Sequence, residues 1–100
     1  MIVEFDSLPE TSRVWIYQAN RSFTEDELSE LRTRLIEFIG KWSSHGKDLQ
    51  ASFEIKYKRF IIIALNQELN SASGCSIDDF VGFIHQLEKD YNVVLLDKMN

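Results

Sequence analysis

Apolar residues recur along the chain with two periods, and the switches between them mark its elements. Residues 60–65, Phe60-Ile61-Ile62-Ile63-Ala64-Leu65, are apolar without a break. A run this short and continuous predicts a strand buried on both faces. Residues 14–19, Val14-Trp15-Ile16-Tyr17-Gln18-Ala19, are β-branched or aromatic on both parities and read the same way. In residues 51–57, Phe53, Ile55 and Tyr57 alternate with Ser52, Glu54 and Lys56, which predicts a half-exposed strand. Residues 93–96 form a last apolar strand. Two stretches follow the helical period instead. Leu28, Leu31, Leu35, Phe38, Ile39 and Trp42 make one stripe; Ile77, Phe80, Val81, Ile84, Leu87 and Tyr91 make the other.

Punctuation sharpens these boundaries. Thr24 and Glu27 have capping-box spacing, with Phe23 and Leu28 placed as a hydrophobic staple. Glu25, Asp26 and Glu27 set negative charge at the positive end of that helix. Ser43-Ser44-His45-Gly46 is expected to end it, with Gly46 as a left-handed cap. Lys58-Arg59 predicts a tight turn, and Ser76-Ile77-Asp78-Asp79 the start of the second helix. Asn92 ends that helix. Pro9 keeps residues 1–12 as an extended lead-in. The order strand, helix, strand, strand, helix, strand predicts an α+β, ferredoxin-like split βαβ fold (βαββαβ), with a four-stranded antiparallel sheet. The sheet order is expected to be 4-1-3-2, with the two most apolar strands central and both helices on one face.

Composition narrows the function. One hundred residues make one domain, and 44% hydrophobic content excludes a disordered tail. A net charge of -5 argues against nucleic acid and anionic membranes as partners. The longest apolar run falls far below the ~20 residues of a membrane span. A single cysteine, Cys75, and an N-terminus without a basic region point to a cytoplasmic protein. Gly40, Gly46, Gly74 and Gly82 build neither a P-loop nor a dinucleotide fingerprint. His45, His85 and Cys75 lack metal-ligand spacing, so neither cofactor nor metal is expected.

Two regions carry candidate chemistry. Cys75 stands beside Ser73, Gly74 and Ser76 at a helix start, where free amides and the dipole favour a thiolate or a bound anion. The expected topology brings His45, Lys47 and Arg13 to the same end. This makes Cys75 with His45 a candidate thiol pair, and Ser73, Gly74, Cys75, Ser76 and Arg13 a candidate anion site. The plain alternative is a small buried cysteine next to a serine cap. Arg21, Lys56, Lys58 and Arg59 gather at the opposite end as a solvated tip balanced by Glu25, Asp26 and Glu27. The second region is the sheet face away from the helices. Both parities of the central strands are apolar, so one set is left uncovered. Trp15, Tyr17, Ile61 and Ile63 are the interface candidates. Their expected cover is a second copy or a missing C-terminal segment, with the lead-in as a further candidate.

Three segments together carry a resemblance over nearly the whole chain. They are Arg13-Val14-Trp15-Ile16-Tyr17-Gln18-Ala19-Asn20-Arg21, Trp42-x-x-His45-Gly46, and Ala72-Ser73-Gly74-Cys75-Ser76-Ile77-Asp78. The chain resembles a family of small uncharacterised Bacteroidota proteins often labelled "ABC transporter ATPase". The resemblance implies no activity, and the motifs do not support that label. Family members continue past the residues matching Leu95-Leu96-Asp97-Lys98-Met99-Asn100, which implies a fragment or a short member. The reading from sequence is an interaction or assembly module. The alternatives are a thiol enzyme or redox sensor and an anion or nucleotide binder.

Overall fold

The computed structural model describes residues 1–98. Met99 and Asn100, the end of the tail expected after the last strand, lie outside the described residues. A 3-10 turn at Phe5–Ser7 interrupts the lead-in. Then follow β1 (Arg13–Ala19), α1 (Glu25–Lys41), β2 (Ser43–Ser44), β3 (Lys47–Asp48), β4 (Ala51–Lys56), β5 (Phe60–Leu65), α2 (Gly74–Tyr91) and β6 (Leu95–Asp97). The chain is α+β. β4, β5, β1 and β6 form a four-stranded sheet in that order, with every neighbouring pair antiparallel. The central strands are the two apolar ones, β1 and β5. β2 and β3 pair as a separate two-stranded sheet.

Both helices lie on the face that carries Trp15 and Tyr17. Register explains why this face is the core. Trp15 pairs with Ile63 and Tyr17 with Ile61, so all four point to one side. Phe80 of α2 sits at the centre of that side, with ring centroids 5.1 Å from Trp15, 5.5 Å from Trp42 and 6.0 Å from Tyr17. The fully buried stripes Leu31, Leu35 and Ile39 of α1 and Phe80 and Leu87 of α2 complete the core. The helices run antiparallel: Arg34 pairs with Asp90 at 2.9 Å, Phe38 stacks on Phe83 at 4.5 Å, and Trp42 reaches Ser76.

Several boundaries differ from the sequence reading. α1 has the predicted Thr24–Glu27 capping box but stops at Lys41. Gly46 is not its cap. His45 (φ 51) and Gly46 (φ 78) are the two left-handed residues of the hairpin turn joining β2 to β3, where a two-residue loop demands positive φ. α2 begins two residues before Ser76, because Ser73 caps it and Ser76 closes a second capping box. Tyr57 leaves the half-exposed strand and sits with Lys58 in the β4–β5 turn, both at positive φ. The last strand starts at Leu95 rather than Val93. Asn92 is a left-handed cap, and Val93 still donates back to the Glu88 carbonyl.

Candidate functional site

The α2 start is built by serines. The Ser73 hydroxyl accepts from the Ser76 N–H at 3.2 Å, and the Ser76 hydroxyl accepts from the Ser73 N–H at 2.7 Å. The Ser76 hydroxyl also donates to the Ser73 carbonyl at 2.8 Å. Both hydroxyls are therefore occupied in holding the cap. The N–H groups of Gly74 and Cys75 are the first two amides of the helix, and its first turn carries no acidic residue. Buried beneath, the Trp42 indole N–H donates to the Ser76 carbonyl at 2.8 Å.

Cys75 is exposed, so the alternative of a small buried cysteine does not hold. As the second residue of α2 it lies inside the helix, on its outer side, while Ser76 takes the inward position. His45 is exposed on the hairpin turn. That hairpin packs near the α2 start: β2 contacts α2, and Asn70 of the preceding loop donates to the Lys47 carbonyl at 3.4 Å. Arg13 pairs in register with Leu65, where that loop leaves the sheet, and its guanidinium lies 4.7 Å from the Trp15 ring centroid. Fold thus gathers Arg13, the hairpin and the α2 start at one end. Among the described residues, no hydrogen bond or ion pair links Cys75 with His45 or Arg13.

The interface candidates are corrected. Trp15, Tyr17, Ile61 and Ile63 are buried under the helices. Phe80 of α2 packs on Trp15 and Tyr17, and Trp42, just after α1, packs on Trp15, so the bulkier parity turned inward. The helix-free face carries the other set: Val14, Ile16, Gln18, Phe60, Ile62 and Ala64, with Ser52, Glu54 and Lys56 of β4. Toward the lead-in, Ser52 and Ala64 are buried. Farther along, Val14, Ile16, Phe60 and Ile62 are half-buried, and Leu96 beside Gln18 is 54% exposed.

The opposite end holds the basic tip. Arg21 forks onto Glu27 with bonds of 2.8 and 2.9 Å and also donates to the Tyr91 carbonyl. The Arg21 guanidinium, helped by the Thr24 backbone N–H, holds the Glu27 carboxyl down to about 2. Lys58 pairs with Glu25, and Lys56 lies 3.7 Å from Glu54. The Arg59 guanidinium donates to the Ala19 carbonyl. These cations are tied to acids and carbonyls of their own chain. On α2, the exposed His85 pairs with Glu88 at 3.0 Å.

Sequence reasoning missed how the lead-in binds. Its Met1 ammonium donates to the Leu49 carbonyl at 2.7 Å, and Val3 donates to Ala51 at 3.0 Å, so it runs parallel beside β4. The available signal was the apolar triplet Ile2, Val3 and Phe5. No family model, curated protein or solved structure matches this chain. No described helix is long and apolar enough to cross a membrane.

Proposed function

We propose that the protein is a cytoplasmic interaction module of the ferredoxin-like, split βαβ class, which docks through the helix-free face of its sheet. The element order and the antiparallel strand order support that fold type. One observation carries the function: Val14, Ile16, Phe60 and Ile62 form an apolar centre on the side without helices, and the lead-in pairs beside the edge strand at Ala51. A sheet face meant only for water would alternate to polar residues there. The occupant is a second copy, sheet against sheet, which hides both apolar centres at once. Sedimentation should give a dimer mass, and Ile16→Lys should return it to monomer while leaving the helix-side core intact. A monomer at high micromolar concentration with unchanged Ile16→Lys behaviour would refute the reading. The resemblance to the small Bacteroidota family stays compatible with such a role.

A second reading rests on the exposure of Cys75 in the first turn of α2. A functional thiol there alkylates in the folded protein at neutral pH, and His45→Ala slows it. Alkylation at the rate of a free peptide thiol, indifferent to His45, removes this reading.

A further inference from the structure

β4 is an edge strand, so its backbone groups point alternately at β5 and outward. One pair of bonds tells which is which. The Ala51 N–H donates to the Met1 carbonyl and its own carbonyl accepts from Val3, so Ala51 turns both groups away from β5. Alternation turns the N–H and C=O of Phe53 and Ile55 the same way. Ser52, Glu54 and Lys56 are left to bond with Ala64, Ile62 and Phe60 opposite them. The lead-in follows the outer edge only to Val3 and then coils at Phe5–Ser7. Among the described residues, no hydrogen bond reaches the outward groups of Phe53 or Ile55.

Where lead-in and strand diverge, a cavity of about 610 Å³ opens, lined by Val3, Glu4, Phe5, Asp6, Phe53 and Glu54. Three of the lining residues are carboxylates, beside the rings of Phe5 and Phe53. The one cation of β4, Lys56, is already beside Glu54.

We propose that the β4 edge at Phe53 and Ile55 is a docking site for an extended segment of another protein that carries lysine or arginine. The segment adds as a fifth strand and takes up four backbone groups that β5 cannot reach. Every second side chain of such a strand points to the same face. One set therefore enters the cavity, where Glu4, Asp6 and Glu54 select a cation. A second copy of this chain fits poorly. Its β4 brings another Glu54 and another acidic lead-in, and its other edge, β6, is three residues long and ends in Asp97. This edge site stands independently of the sheet-face reading, since it uses hydrogen bonds in the sheet plane rather than the apolar face.

Amide exchange followed by NMR on the 100-residue chain tests this. The probe is an acetylated, amidated Val-Lys-Val-Lys-Val peptide, compared with Val-Glu-Val-Glu-Val and with a lysine peptide N-methylated at alternate amides. At about ten times its Kd, the lysine peptide should slow exchange of the Phe53 and Ile55 amides about tenfold. The N-methylated peptide should not. Glu4→Gln and Glu54→Gln should each weaken binding about two- to fivefold, the range of a partly exposed ion pair. The proposal is overturned if those amides exchange unchanged, or if the glutamate peptide protects them equally. It is also overturned if they are already protected in a free chain that sediments as a dimer, which would give the edge to a second copy.

Discussion

At one end of the antiparallel helix pair, Arg21 joins Glu27, near the α1 start, to the last carbonyl of α2 at Tyr91. At the other end, the Trp42 indole joins the cap of α1 to the Ser76 carbonyl in the first turn of α2. The backbone task is the same at both ends: to bring one helix start against the other helix end. Both starts even use a capping box. The chemistry is opposite. The first box is Thr24 with a carboxylate that is charged, forked and partly exposed. The second is Ser73 with a hydroxyl that is neutral and buried. The charged end settles its own dipole, with Glu25, Asp26 and Glu27 in the first turn. The aromatic end leaves the α2 dipole facing outward at Gly74 and Cys75. Candidate ligand chemistry therefore collects at the end whose stability comes from packing.

If that division is right, the largest loss comes from the aromatic end. Trp42 meets Trp15, Phe38 and Phe80, so Trp42→Ala should cost about 3–5 kcal/mol of unfolding free energy. Trp42→Phe keeps a ring but removes the buried N–H donor, and should cost about 1–3 kcal/mol. Urea midpoints for the pair separate packing from hydrogen bond. A Trp42→Phe midpoint equal to that of the parent would mean the indole bond does not hold the α2 start.

The charged end should respond less, and with a pH signature. Glu27→Ala removes both a cap and an ion pair, for about 1–2.5 kcal/mol. Thr24→Ala removes the other half of the same box, about 0.5–2 kcal/mol, and the double variant should cost less than the sum. Because the folded carboxyl of Glu27 sits near 2, below its ordinary value of about 4.3, its stabilisation is complete above the ordinary value. It is lost as pH falls from there toward 2. Glu27→Gln should flatten that part of the stability profile. The Trp42→Phe penalty should stay constant over the same range, since neither the indole nor the Ser76 carbonyl titrates. A Trp42→Phe penalty that tracked pH would break the comparison.

The two ends were unequally legible in the sequence, for a physical reason. Thr24 and Glu27 form their box within four residues, and the motif names both partners. At Ser73 the N3 residue is serine instead of glutamate, so the start was read at Ser76, next to the apolar stripe, and fell two residues late. The two-residue strands around His45 and Gly46 are too short to show any period, and a positive-φ glycine serves a hairpin as well as a helix cap. The strand order followed from apolar continuity in β1 and β5. The same continuity hid which parity faces the helices. That choice was made by the rings of Phe80 and Trp42, far along the chain from Trp15 and Tyr17. Cys75 was read just before the α2 start, and the earlier start puts it inside the first turn of α2, where it is exposed. The acidic cavity lay beyond reach, because it exists only where the lead-in happens to leave β4.

The smallest expected effect is a gain, and it lies in the turns that close the two ends. Near the aromatic end, the β2–β3 turn uses His45 and Gly46, and glycine takes positive φ without a steric penalty. At the charged end, the β4–β5 turn sets Tyr57 at φ 55 and Lys58 at φ 57, closed by the Arg59 N–H on the Lys56 carbonyl at 3.1 Å. A side chain in that region costs about 1–2 kcal/mol, and two stand in succession. Lys58 has compensation: its carbonyl accepts from Phe23 at 2.8 Å and its ammonium pairs with Glu25. Tyr57 has little, being 82% exposed with one edge contact to Phe60. Tyr57→Asn supplies a residue that favours the left-handed region and leaves Lys58 in place. Set against the lost ring contact, the net should be a stabilisation of about 0.5–1 kcal/mol. A chemical-denaturation series would show it as a higher midpoint at unchanged slope. A lower midpoint would mean that the Tyr57 ring contributes more at this tip than its exposure indicates, and would move the charged end closer to its aromatic counterpart.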